Sequence, residues 1–148
     1  SYLYNNTQGD VIIDTITLEE LEASSFGITA SMTATDSTEL RNAKFLSLTD
    51  STGLTINSPA IVVDGLHATN LMLQLGGVVS TATLGSMSLI GSPVFNINAS
   101  AISGSLVVED SYMTDAQGGI VISGAGPASS FTLRNSQIDT LSGALGPK

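Results

Sequence analysis

Glu19, Arg41, Asp64, Glu109 and Arg134 are the residues of this chain whose types and spacing come nearest to chemistry. A polysaccharide lyase needs a base, commonly Arg or Lys, beside acidic calcium ligands. Arg41 with Asp64 is the pair that fits this pattern best. A glycosidase needs two carboxylates about 5–10 Å apart, and Asp64 with Glu109 is the pair to consider. Glu109 and Asp110 are sequence neighbours, so in a strand they diverge to opposite faces. Five acids near the start, Asp10, Asp14, Glu19, Glu20 and Glu22, are candidate ligands for Ca²⁺, which prefers hard oxygen donors. Neither EF-hand spacing nor a glycine- and aspartate-rich nonapeptide accompanies them. His67 stands alone, without the partners of a catalytic triad, and there is no phosphate loop. With no Cys in the chain, thiolate metal sites and Cys nucleophiles are excluded. No catalytic set is assigned on this basis, and calcium is the only cofactor with any candidate ligands.

These residues recur because the sequence around them recurs. Phe131-Thr132-Leu133-Arg134-Asn135 reads apolar, polar, apolar, charged, Asn, and similar stretches stand upstream. Aligned on the second apolar residue, the copies place Leu18, Leu40, Val63, Leu89, Val108 and Leu133 in one column, with gaps of 22, 23, 26, 19 and 25 residues. Two residues earlier stand Ile16, Thr38, Ile61, Met87, Leu106 and Phe131. Alternation with period two marks a strand with one face buried. Two residues after the anchor stand Glu20, Asn42, Gly65, Gly91, Asp110 and Asn135, types that tolerate a left-handed backbone, so this column predicts a corner. Five residues after it, Ala23, Phe45, Ala68, Val94, Met113 and Ile138 begin a second inward-facing strand. A third segment (Gly27-Ile28, Gly53-Leu54-Thr55-Ile56, Gly119-Ile120-Val121-Ile122) repeats more loosely.

A repeat of about 23 residues without a helix predicts stacked coils of strand. The pattern resembles the right-handed parallel β-helix of pectate-lyase-like proteins, autotransporter passengers and phage tailspikes. The resemblance rests on the repeat and names an architecture, not an activity. Leucine-rich repeats share the period, but their motif and helical half are missing. An antiparallel β-sandwich is the other arrangement that gives short alternating strands. The expected fold is an all-β, single-domain β-solenoid of about six to seven coils. It would span residues 11–145, preceded by an edge strand or flap at 1–10 and followed by a tail at 146–148. In the position after the anchor, Glu19, Arg41, Asp64, Ile90, Glu109 and Arg134 would then form an exposed ladder with largely alternating charge.

The composition suits strands and corners. Of 148 residues, 42% are hydrophobic and only 11% charged, with 15 Gly and no Trp, against about a quarter charged in ordinary domains. The net charge of −9 rests on 13 acids against four basic residues, which excludes nucleic-acid binding through a basic surface and disfavours anionic lipid. No apolar run is long enough for a transmembrane helix. A first residue of Ser, not Met, fits removal of a signal peptide or excision from a longer chain. Both point to an exported protein, extracellular or at the cell surface. From Gly65 to Val108 no charged residue occurs, so almost two coils have an uncharged outer wall suited to contact with another subunit, a glycan or a surface. Thr33, Thr35, Thr55, Thr81 and Thr83 recur at no single repeat position, which argues against ice binding.

Solenoids that remain monomeric usually carry caps, and neither terminus here has the helical periodicity of one. Residues 10–39 hold seven acids and no basic residue, whereas Arg134 and Lys148 stand near the other end. Tyr2, Leu3, Tyr4, Leu141 and Leu145 are accordingly the candidate assembly residues. The sequence points to a non-enzymatic structural or adhesive subunit of a microbial surface filament, appendage or matrix, homo-oligomeric by end-to-end stacking. The alternative is a carbohydrate-binding or carbohydrate-cleaving β-helix.

Overall fold

Short apolar–polar alternations separated by left-handed corners can bury one face only by stacking on one another, and the computed structural model shows that they do so in parallel. It describes residues 15–19, 22–24, 29–46, 52–91, 95–99, 102–114, 118–122, 129–138 and 141–143. The first strand level consists of β1 (Thr15–Glu19), β2 (Glu22–Ser24) and β3 (Thr29–Thr33). The second is β4 (Ser37–Arg41), β5 (Lys44–Leu46) and β6 (Thr52–Asn57). The third is β7 (Ala60–Asp64), β8 (His67–Thr69) and β9 (Leu71–Gly76). The fourth is β10 (Val79–Gly85), β11 (Ser88–Ile90) and β12 (Phe95–Ala99). The fifth is β13 (Ile102–Glu109), β14 (Tyr112–Thr114) and β15 (Gly118–Ile122). The last is β16 (Ser130–Arg134), β17 (Gln137–Ile138) and β18 (Leu141–Gly143).

Each level lays one strand in each of three sheets. The first sheet runs β1-β4-β7-β10-β13-β16, the second β2-β5-β8-β11-β14-β17 and the third β3-β6-β9-β12-β15-β18. Every pairing among the described strands is parallel. This is an all-parallel β-solenoid with a repeat of about 23 residues, and the antiparallel sandwich is ruled out. Inward residues from all three walls meet in one aliphatic core, among them Leu40, Phe45, Ile56, Val63, Leu73, Leu84, Leu89 and Val108.

The expected count of six to seven coils is corrected by this core. Among the described residues, apolar side chains with no exposure run from Leu40 to Ile120. That is 80 residues, or between three and four turns of the repeat. Among the described residues no sheet has a seventh strand level. The physical reason lies in the outer levels. A terminal strand has a neighbour on one side only, so its inward side chains are not sealed: Leu133, in the anchor column of β16, is 40% exposed. With five spacings of about 4.8 Å, the sheets are about 24 Å deep along the stacking direction, shorter than a six- to seven-coil rod of about 30 Å.

The register of the fourth level is also corrected. The residue in line with Val63 and Val108 is Leu84. Leu89 is buried instead in the second sheet, between Ala68 and Met113. The anchor column therefore reads Leu18, Leu40, Val63, Leu84, Val108, Leu133, and the position before it is Ala82, not Met87. Two corners with the same signature caused the slip. Between the first and second sheets the left-handed residues are Asn42, Gly65, Ser86, Asp110 and Asn135 (φ between 46° and 76°). Between the second and third they are Asn70 and Gly91. Met87-Ser88-Leu89 followed by Gly91 copies the motif at the second corner, while the true anchor is flanked by the weaker signals Ala82 and Ser86. In the third sheet Gly53 pairs with Thr29; Gly27-Ile28 lies outside the described residues.

The varying gaps have a local cause where β13 meets β10. One residue stands between Val79 and Thr81, but two stand between their partners Ile102 and Ser105. The extra residue makes a bulge. A Cβ on Gly104 would lie 2.1 Å from the Ser80 carbonyl oxygen, so this position has no room for a side chain.

Candidate functional site

The chemically richest column lies on the outer face of the first sheet, one residue past the anchor. Its backbone partners, level by level, are Glu19, Arg41, Asp64, Gly85, Glu109 and Arg134. Strand alternation turns the anchor inward, so this neighbour faces out. Arg41 reaches Asp64 on the next strand (Nη1 to Oδ2, 3.6 Å) and Glu39 two residues back on its own strand (Nη2 to Oε2, 3.3 Å). Arg134 donates to Glu109 at 2.6 Å. The ladder expected from the sequence is thus present as two ion-paired stretches, with Gly85 and not Ile90 between them.

That substitution alters the paired-carboxylate question. Asp64 and Glu109 lie two strand spacings apart, about 9–10 Å, near the top of the inverting range. Nothing projects between them. A Cβ on Gly85 would touch Glu109 Cγ at 3.7 Å and Asp64 Oδ1 at 3.8 Å, so the two side chains flank a notch just wide enough for a methyl group. Each carboxylate is nevertheless engaged by its own arginine. Such exposed pairs contribute roughly 0.2–1 kcal/mol apiece and hold the strands in register, since a slipped strand would juxtapose like charges.

The remaining sequence candidates are dispersed. His67 is exposed on the outer face of β8, with Lys44 and Ser88 as its register neighbours. Of the five calcium candidates, Asp10, Asp14 and Glu20 lie outside the described residues. Glu19 and Glu22 pair in backbone register with Arg41 and Lys44. No group of three His, Cys, Asp or Glu side chains able to hold a metal occurs among the described residues. Tyr2, Leu3, Tyr4 and Leu145 also lie outside them, and Leu141 stands in β18 opposite Ile120. The 1–10 flap and the 146–148 tail fall there as well. No described helix is long and apolar enough to cross a membrane.

Other features carried no sequence signal. Thr38 and Ser58 are buried polar residues whose hydroxyls hydrogen-bond to each other. At the inner corner, the Ser111 hydroxyl donates to the Glu109 carbonyl (2.7 Å) and accepts from the Met87 amide (3.2 Å). Ser136 repeats the arrangement one level on, donating to the Arg134 carbonyl and accepting from the Ser111 amide. Each of these hydroxyls accepts from a corner amide of the level before it. On the second wall, which carries no charged residue in its described strands from β8 onward, Ile90 and Tyr112 are 41% and 43% exposed. Alternation within a three-residue strand is too short to reveal which apolar residues face solvent.

Compared with protein-family models, curated proteins and solved structures, the chain gives no significant match. The fold is accordingly described as a parallel β-solenoid without a family.

Proposed function

We propose that this chain is a structural, non-enzymatic subunit that stacks end to end on copies of itself, as an exported component of a surface filament, appendage or matrix. The observation that carries this reading is the last strand level. Phe131 and Leu133 of β16 and Ile138 of β17 occupy inward columns, yet Leu133 is 40% exposed and the other two are only partly buried. Burying such residues under another strand level is worth about 25 cal/mol per Å² of apolar surface, and an edge strand supplies the hydrogen-bonding template. Light scattering and electron microscopy across a concentration series test it. Polymers that lengthen with concentration are the expected result, and a chain that remains monomeric at millimolar concentration overturns it.

A second reading is carried by Tyr112 and Ile90 on the part of the second wall without charged residues, beside His67, Thr69 and Ser88. A flat wall with one aromatic ring and several hydroxyls suits a glycan. A glycan-binding screen with dilute monomer separates the two: binding or cleavage favours the carbohydrate reading.

A further inference from the structure

From the charge order and register of the first sheet we infer the geometry of the joint, a deduction that rests on the stacking reading above. β16 of one copy pairs in parallel with β1 of the next, Ser130 opposite Thr15 and Arg134 opposite Glu19. The partner is therefore a second copy of this chain in head-to-tail orientation.

Within the chain, five consecutive residues of each first-sheet strand pair with five of the next, in one frame. Thr15 pairs with Ser37, Ser37 with Ala60, Ala60 with Thr81 and Ser105 with Ser130. β1 and β16 are the two outermost of the described strands in this sheet. Carrying the frame across the joint places Ser130 against Thr15 of the next copy. This register opposes Phe131 to Ile16 and Leu133 to Leu18, each an apolar pair.

The charges select this frame. The outward column begins on Glu19, paired in register with Arg41, and ends on Arg134, 60% exposed on its side chain and already paired with Glu109. An end that finishes on a cation meets an end that starts with an anion. A one-residue slip would turn the apolar columns outward. A two-residue slip would set Arg134 against Thr17 and lose the pairing. The corner follows the same rule. Asn42 donates its amide to the Asp64 carbonyl, Gly65 to Gly85, Ser86 to Glu109 and Asp110 to Arg134, at 2.9–3.2 Å. One step further, the Asn135 amide meets the Glu19 carbonyl of the next copy. Such a contact is heterologous and propagates without closing.

Because the chain has no Cys, engineered thiols report this register directly. Thr132 and Thr17 occupy the same register position in their strands and would be opposite each other across the joint. The full-length Thr17→Cys, Thr132→Cys variant, oxidised after polymerisation, should give a ladder of disulfide-linked oligomers on a non-reducing gel. The Thr17→Cys, Ser130→Cys variant, offset by two residues, should not. An equimolar mixture of the two single variants should give dimers, and Thr132→Cys alone should give none. Circular dichroism checks that each variant retains its strands. Ladders from the offset pair alone would overturn the register while leaving stacking intact. Dimers from Thr132→Cys alone would overturn the head-to-tail orientation. Absence of polymers from the unmodified chain at every concentration would overturn the stacking reading and this joint with it.

Discussion

Arg134 and Glu109 meet across one strand spacing, Nη2 to Oε2 at 2.6 Å, with side-chain exposures of 60% and 31%. The pair links β16 to the body of the solenoid from outside, where β13 is its one neighbour among the described strands. A double-mutant cycle with Arg134→Met and Glu109→Gln should give a coupling of about 0.2–1 kcal/mol in urea unfolding at low ionic strength. At about 1 M salt, where the Debye length is about 3 Å, the coupling should fall toward zero. A coupling that survives high salt would mean that the pair acts through packing and not through charge.

Leu84 is sealed in the anchor column between Val63 and Val108. Leu84→Ala should therefore cost about 2–5 kcal/mol, as should Leu89→Ala in the second wall. The first variant discriminates between registers. If Leu89 held the anchor position, Leu84 would fall in the segment before the strand, and its truncation would hardly move the urea midpoint.

The repeat was legible because burial of one face imposes period two, and left-handed corners restrict residue type. Leu40, Val63, Val108 and Leu133 declare the first sheet on both grounds. The fourth level was not legible, because Ala82 and Ser86 satisfy the same geometry with weak side chains while Met87, Leu89 and Gly91 imitate it at the next corner. That displacement hid the Gly85 notch between Asp64 and Glu109. The length of the sealed core was hidden too: the sequence of β16 is as apolar as that of β4, yet among the described residues no strand covers β16 and Leu133 is exposed. The ladder of Arg41 with Asp64 and of Glu109 with Arg134 was legible, since it needs only the repeat and the strand spacing.

At the first corner, Gly65 has φ 76°, and a Cβ there would lie 2.9 Å from Asn42 Oδ1. Asn135 holds the equivalent place at φ 46° near the open end. Gly65→Ala should lower stability by about 1–3 kcal/mol through left-handed strain and the crowded amide. Asn135→Gly should be neutral or mildly stabilising, whereas Asn135→Val should be clearly worse, because β-branched residues resist this region. Thermal melts of the three variants give the order directly, and equal tolerance of Gly and Val at Asn135 would remove the left-handed assignment.

Thr38 occupies an inward column whose neighbours on either side are Ile16 and Ile61, and it is completely buried. Its hydroxyl is satisfied by Ser58, which follows β6 and is itself buried. The bond joins the strand at the start of the second level to the corner at its end, across 20 residues of chain. A buried hydroxyl deprived of its partner carries a desolvation cost of about 1–3 kcal/mol, whereas removing both partners can be nearly neutral. Thr38→Val should therefore destabilise by about 1–3 kcal/mol although it adds an apolar group to an apolar column. Ser58→Ala should destabilise for the same reason. The double variant should recover most of the loss, giving strongly non-additive urea midpoints. Additive losses would mean that the two hydroxyls are satisfied independently, and that the closure of this level does not depend on their contact.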